Sequence, residues 1–158
     1  PYDPTSDLFA LNAAAPGVAV RVQATTLAFL GRAVSLSAAS GGAFDPTVGP
    51  LMRLWGLVGD APGSLPDDEA VERARESVGI GRVLGIDPET GCAWWKIAGA
   101  RLDPGAIGKG WALDRARDLL RDAGIASALL HGGTSSVAAI GGPWRVRIDG
   151  APDETVVE

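Results

Sequence analysis

Apolar and polar positions recur along the chain with two different periods. A period near 3.6 marks the helices. Ser6 suits the N-cap of a short helix through Asn12. Leu27, Leu30, Val34 and Ala38 fall on one face of a long helix that runs through Ser40, with Thr25 or Thr26 as its cap and Gly41-Gly42 as its stop. Leu51, Leu54 and Trp55 mark a short helix. Pro66-Asp67-Asp68-Glu69 places proline and acids in the first turn of an amphipathic helix that ends near Gly79. A last helix runs from about Ala106 to Ala123 along Ile107, Trp111, Leu113, Ala116, Leu119 and Leu120, and Gly124 stops it.

The other period is two. Val18 to Val22 alternates and predicts a strand. Val83-Leu84-Gly85-Ile86, the turn Asp87-Pro88-Glu89-Thr90-Gly91 and Ala93 to Ile97 predict a hairpin. Ala126 to Leu130 predicts a buried strand. Val137 to Ile140, the turn Gly141-Gly142-Pro143 and Trp144 to Ile148 predict a second hairpin, and Gly59 to Pro66 an exposed loop. Helices and strands mix without strict βαβ alternation and no repeat is present, which predicts an α+β fold with antiparallel sheets packed against helices. Residues 1–158 read as a single domain that is cut at both ends: Pro1 opens with neither Met nor a signal-like start, and Thr155 to Glu158 stops within a strand-like run.

Composition narrows the choice of chemistry. With 158 residues, 46% of them hydrophobic, the chain can bury a core. Its net charge of −5 leaves no basic footprint for nucleic acid, so an anionic ligand must be held by local donors or a metal. A single cysteine, Cys92, excludes an internal disulfide and a cysteine-cluster metal site. No apolar run reaches membrane-spanning length.

The richest stretch is Leu102 to Asp114. Pro104-Gly105 turns the chain after Asp103, and a helix begins shortly afterwards. A helix start presents N–H groups without partners and the positive end of the dipole, which suits an anion. Lys109 adds a charge there, and Asp103 can accept hydrogen bonds from a ligand or help to hold a divalent cation. Neither standard nucleotide fingerprint is present, so a turn with a solvated lysine and a capping aspartate is the competing reading. In Gly41 to Pro50, Asp45 precedes proline and can cap the next helix at Thr47. Phe44 can line an aromatic ligand's pocket with backbone groups around Ala43 reading its edge, or simply join the core. His131, the one histidine, suits a loop or core position better than a catalytic one. Thr134, Ser135 and Ser136 can bond phosphate oxygens or a flavin edge, or cap their own turn.

Four runs together resemble the FAD:protein FMN transferases, the ApbE-type flavin transferases. They are Tyr2 to Leu8 with Leu11-Asn12; Ser40 to Leu51 with Leu54-Trp55-Gly56; Leu102 to Gly110 with Asp114; and Gly132-Gly133 with Ile140-Gly141. They follow the family's order over nearly the whole chain, and the second and third are specific.

The resemblance implies an α+β fold and Mg²⁺-dependent chemistry on FAD. FMN is joined by a phosphoester to a Thr or Ser of an acceptor protein and AMP is released. Some members instead hydrolyse FAD, and a scaffold that only binds FAD is the non-catalytic alternative. By matching position, Tyr2, Ala43, Phe44, Asp45, Asp103 and Lys109 contact FAD, and the carbonyl of Ala106 is a Mg²⁺ ligand; the resemblance gives no catalytic residue. A homodimer is compatible with it, and the compartment stays unassigned. The family's further Mg²⁺ ligands, an Asp and a Thr on a later helix, fall beyond position 158, so the metal site of this chain is expected to be incomplete and its turnover weak. Where many members place an Asp after the Gly-Gly of the fourth run, this chain has Thr134-Ser135-Ser136.

Overall fold

The computed structural model describes residues 3–58, 65–147 and 155–157. Tyr2, most of the loop expected over Gly59 to Pro66, and Ile148 lie outside them. The elements run α1 (Asp7–Ala13), β1 (Val20–Arg21), α2 (Ala24–Ala39), α3 (Gly49–Leu54), α4 (Asp68–Arg75), α5 (Ile80–Val83), β2 (Leu84–Asp87), β3 (Cys92–Trp95), α6 (Gly108–Asp122), β4 (Ala128–His131), β5 (Val137–Ile140), β6 (Trp144–Val146) and β7 (Thr155–Val157). Every sheet pairing is antiparallel, as the α+β expectation requires. The contacts divide the chain into two compact units, Pro1–Pro104 and Gly105–Glu158.

In the first unit a three-stranded sheet of order β1-β3-β2 carries α1 and α2. Its core gathers Leu11, Phe29, Leu30, Ile80, Val83, Ala93 and Trp95. Alternation along β3 decides the fate of the paired tryptophans. Trp95 points inward, 1% exposed, and its indole N–H donates to the carbonyl of Leu11 at 2.9 Å, so the polar edge of the ring costs nothing to bury. An aromatic of that size removes roughly 150–250 Å² from water, about 4–6 kcal/mol at 25 cal/mol per Å². Trp94 points the other way and covers its cross-strand partner Gly85, where a Cβ would come within 2.2 Å of the ring.

The helix caps differ in origin. Ser6 caps α1 as expected, accepting from the N–H of Phe9 at 3.2 Å. Asp67 caps α4 in the same way through Ala70 at 2.7 Å. Neither Thr25 nor Thr26 caps α2. The N-cap there is Gln23, and the carboxylate of Asp7, from α1, accepts its N–H and the hydroxyl of Thr26, each at 2.7 Å. A full negative charge at the helix start is a stronger partner than a hydroxyl, and it ties α1 to α2. The inward stripe of α2 is Phe29, Leu30, Ala33 and Ser37, rotated from the expected Leu27, Leu30, Val34 and Ala38. Close packing against α5 and β2 selects the small residues Ala33 and Ser37 over the larger Val34.

The amphipathic helix α4 stops at Arg75, earlier than Gly79. Arg82 reaches back to the carbonyls of Arg75, Glu76 and Val78 at 3.2, 2.7 and 2.6 Å, satisfying groups that the helix end leaves open. Val83 then belongs to α5, and β2 begins one residue later than the alternation suggests.

In the second unit α6 packs against β4 and β5. The hairpin expected between Val137–Ile140 and Trp144–Ile148 does not form. β5 pairs back with β4, from Ala128 opposite Ile140 to His131 opposite Val137, and β6 pairs with β7. Pro143 at the corner has no N–H to give to a ladder across it. The indole of Trp144 instead donates to the Ile140 carbonyl at 3.1 Å. Among the described residues no helix is long and apolar enough to cross a membrane.

The β2–β3 turn makes a pH prediction. The Asp87 carboxylate accepts from the Thr90 hydroxyl at 2.6 Å and the Glu89 N–H at 2.9 Å, and these bonds, the hydroxyl first, hold its carboxyl below the ordinary value. A lowered folded value means that the contribution of Asp87 to stability is complete above the unfolded value and is lost as pH falls through the folded one. A side-chain NMR titration should place Asp87 below a free aspartate, and Thr90→Val should move it back up. An unchanged midpoint in Thr90→Val would remove the hydroxyl as the cause.

Candidate functional site

The first and third sequence runs meet at a short peptide segment. Asn12, near the end of α1, uses its amide twice on Leu102. Nδ2 donates to the Leu102 carbonyl at 2.9 Å, and Oδ1 accepts the Leu102 N–H at 2.9 Å. The next N–H, that of Asp103, donates to the carbonyl of Pro46 at 2.8 Å. Leu102 is 2% exposed, so its peptide groups need partners within the protein. All three contacts lie within the first unit.

The second run is anchored from below. Asp45 Oδ1 accepts the Thr47 N–H at 2.8 Å and the Thr47 hydroxyl in a shorter contact. Oδ2 accepts the Ile80 N–H at 2.9 Å, at the start of α5, and the Ser37 hydroxyl at a long 3.5 Å. Thr47, fully buried, accepts the Gly79 N–H at 2.9 Å. The expected cap therefore forms at a different helix. Asp45 does not cap α3, whose N-cap Val48 has no side-chain bond; it closes a turn over Thr47 and caps α5. Four protein donors occupy the carboxylate, so its work in this unit is to fix the Phe44–Thr47 corner. Phe44 is half-buried at that corner and its N–H donates to the Ser40 hydroxyl at 3.0 Å, while Ala43 is exposed.

A cavity of about 800 Å³ opens beside the clamped segment. Asn12 and Asp103 line it, with Phe9 and Val58 as apolar wall and Arg53 and Arg101 as cationic groups. That volume is in the range of small-molecule sites. Asp3 also borders it. The Thr5 hydroxyl, and then the Thr5 N–H, hold the Asp3 carboxyl below its ordinary value. Phe44, Asp45 and Ala43 are outside the lining. They are joined to it through the Pro46–Asp103 bond.

In the second unit the third run meets the fourth. Lys109, exposed in the first turn of α6, donates to the hydroxyl of Ser135. The Gly132-Gly133 turn comes down onto α6. A Cβ on Gly132 would lie 3.2 Å from Leu113 and 3.5 Å from Lys109, a space that glycine leaves open. The Gly132 N–H closes the loop on the Ser136 carbonyl at 2.8 Å. Of the three hydroxyl residues, Ser135 thus meets the lysine. His131 is exposed at the end of β4, opposite Val137, and Ala106 is exposed ahead of α6.

The expected magnesium has little to hold it here. Mg²⁺ demands an octahedral oxygen shell, usually one or two carboxylates together with water and substrate phosphate. Among the described residues no group of three or more His, Cys, Asp or Glu could hold a metal ion, and the Ala106 carbonyl alone would not complete such a shell. Two residues escaped assignment from sequence. Asn12 has no role in the sequence reading, because its contact with Leu102 spans 90 positions. Ser37 sits on the inward stripe of α2, where a polar residue calls for a partner.

The model of the ApbE family matches residues 1–158. The chain is similar to a FAD:protein FMN transferase of Vibrio cholerae, 32% identical over 159 residues, which cover 94% of this chain and 45% of that protein. A FAD:protein FMN transferase of Treponema pallidum is 34% identical over 147 residues, covering 86% of this chain and 38% of that protein. Among solved structures, the apo form of a Pseudomonas stutzeri flavinyl transferase ApbE superposes with a TM-score of 0.82 at 30% identity, covering 99% of this chain and 51% of that one. The chain spans about half the length, or less, of these relatives.

The Asp45 network predicts a stability change at a residue with no exposed surface. Thr47→Val keeps the shape but removes one donor and one acceptor. Unfolding free energy should fall by about 1–3 kcal/mol, read as a lower denaturant midpoint. An unchanged midpoint would deny the network its structural weight.

Proposed function

The chain belongs to the ApbE family, and from that premise we propose that it is the FAD-holding part of a FAD:protein FMN transferase. The observation that carries this reading is the double tie on Leu102–Asp103, to Asn12 and to Pro46, beside a cavity of ligand size. The residues that by position would contact FAD are Tyr2, Ala43, Phe44, Asp45, Asp103 and Lys109. Asp45 would do so through the corner it fixes, because its own oxygens are engaged by the protein.

The reaction proposed for the whole enzyme is phosphoryl transfer. The oxygen of an acceptor Thr or Ser hydroxyl attacks the FMN-side phosphorus of FAD. The P–O bond to the bridging oxygen breaks, AMP leaves with that oxygen, and the hydroxyl proton is given up. Such transfers depend on positioning and on neutralising charge at the phosphate oxygens. Lys109 supplies a point charge for the diphosphate. A Mg²⁺ with the Ala106 carbonyl among its ligands would add to that neutralisation. The residues described here do not complete its shell, and nothing further is drawn through it.

Fluorescence titration of FAD tests the reading. The wild-type chain should quench flavin fluorescence in a saturable way. Lys109→Ala should weaken binding roughly tenfold or more, as loss of a hydrogen bond to a charged group does, with an unchanged melting temperature because the side chain is exposed. EDTA should change the affinity little, and AMP release from FAD with an acceptor peptide should be weak. No saturable binding by the wild type would end the proposal, and brisk AMP release would show that the metal shell is complete.

A further inference from the structure

Asn12 carries more than the end of a helix. A side-chain amide has the donor and acceptor arrangement of a peptide group, so Asn12 pairs with Leu102 as a neighbouring strand would, at 2.9 Å in both directions. Asp cannot donate, Ala offers nothing, and Gln sets its amide one methylene further out. The Leu102 peptide is thereby fixed. Asp103 follows it directly, and its own N–H is held by Pro46 at 2.8 Å. Asn12, Leu102 and Asp103 border the same cavity. The two peptide units that flank the Leu102 α-carbon, the second of which leads into Asp103, are therefore set by hydrogen bonds to two distant segments, residues 12 and 46.

We infer that Asn12 is a positioning residue for the FAD site: it acts on the ligand through Asp103, by fixing the peptide that leads into Asp103 at the cavity lining. The inference rests on the FAD reading given above and adds to it a residue and a direction of action. It differs from two simpler roles. Were Asn12 only structural, its loss would lower stability and leave affinity alone among folded molecules. Were Asn12 a direct ligand contact, its loss would weaken FAD binding whether or not Asp103 is present. A positioning residue weakens binding only while the residue it positions is there.

A double-mutant cycle separates these outcomes. FAD affinity is measured by flavin fluorescence for the wild type, Asn12→Ala, Asp103→Ala and the pair, well below each melting temperature, with melting curves recorded alongside. Asn12→Ala should weaken FAD about tenfold in the wild-type background and less than about twofold in the Asp103→Ala background. The drop in melting temperature caused by Asn12→Ala should be similar in both backgrounds. Asn12→Ser keeps a hydroxyl beside Leu102 and should repeat the cycle at smaller amplitude should Asn12→Ala not fold. Equal weakening in both backgrounds, or lowered melting with unchanged affinity, would overturn the inference while leaving the FAD reading intact. A wild type that does not bind FAD would overturn the reading itself and this inference with it.

Discussion

A buried peptide cannot leave its N–H and carbonyl without partners, and at Leu102 the chain meets that demand with a side chain rather than a strand. The consequence reaches beyond one residue. A strand neighbour would extend the sheet and hide the segment's edge. Asn12 satisfies the same two groups from a single point, and the segment can turn at Asp103 toward the cavity. The Pro46 carbonyl then takes the next N–H. Two short runs of sequence far apart along the chain become fixed to a third, at a cost of only a few hydrogen bonds each worth about 1 kcal/mol net. The geometry is specific because leaving either partner out would strand a buried polar group.

The two aspartates singled out by sequence stand at different places in the fold. Asp45 and Asp103 both sit beside a proline in a glycine-rich run. Asp45 is engaged by Thr47, Ile80 and Ser37, and the corner it closes is thereby rigid. A carboxylate surrounded by donors contributes order, with little left for a ligand. Asp103 lines the cavity, and its own N–H is taken by the Pro46 carbonyl. Nothing local in the sequence separates them. The difference lies in α5, whose start delivers the Ile80 and Gly79 N–H groups to the Asp45–Thr47 turn from more than thirty positions away.

What the sequence makes legible follows the range of the interaction. Helices α1, α4 and α6 carry their own caps or stops, so Ser6 and Asp67 locate the starts of α1 and α4, and Gly124 the end of α6, within a residue or two. The β2–β3 hairpin is as local, and its turn is written in Asp87 and Thr90. The cap of α2 is not, because the carboxylate comes from Asp7. The pairing of β5 is not, because adjacency of Val137–Ile140 to Trp144–Val146 along the chain favours a hairpin that Pro143 cannot support, while the actual partner precedes the glycine turn. The runs that carry the family resemblance contain Asp103 and Lys109, but the clamp by Asn12 is a contact across 90 positions and has no local signature.

Lys109 adds the last electrostatic point. The chain is acidic, with a net charge of −5, so a positive charge offered to an anionic ligand must survive its own surroundings. A carboxylate partner would hold the lysine in place and also cancel much of its field at the ligand. A hydroxyl holds it in place and brings no net charge to oppose it. Ser135 provides that hydroxyl, within the Thr134-Ser135-Ser136 segment. The Gly132 turn, packed close on α6, is what brings the segment within reach of Lys109. The lysine is oriented by a neutral partner at the start of a helix whose dipole carries the same sign. Orientation and charge are thus kept together.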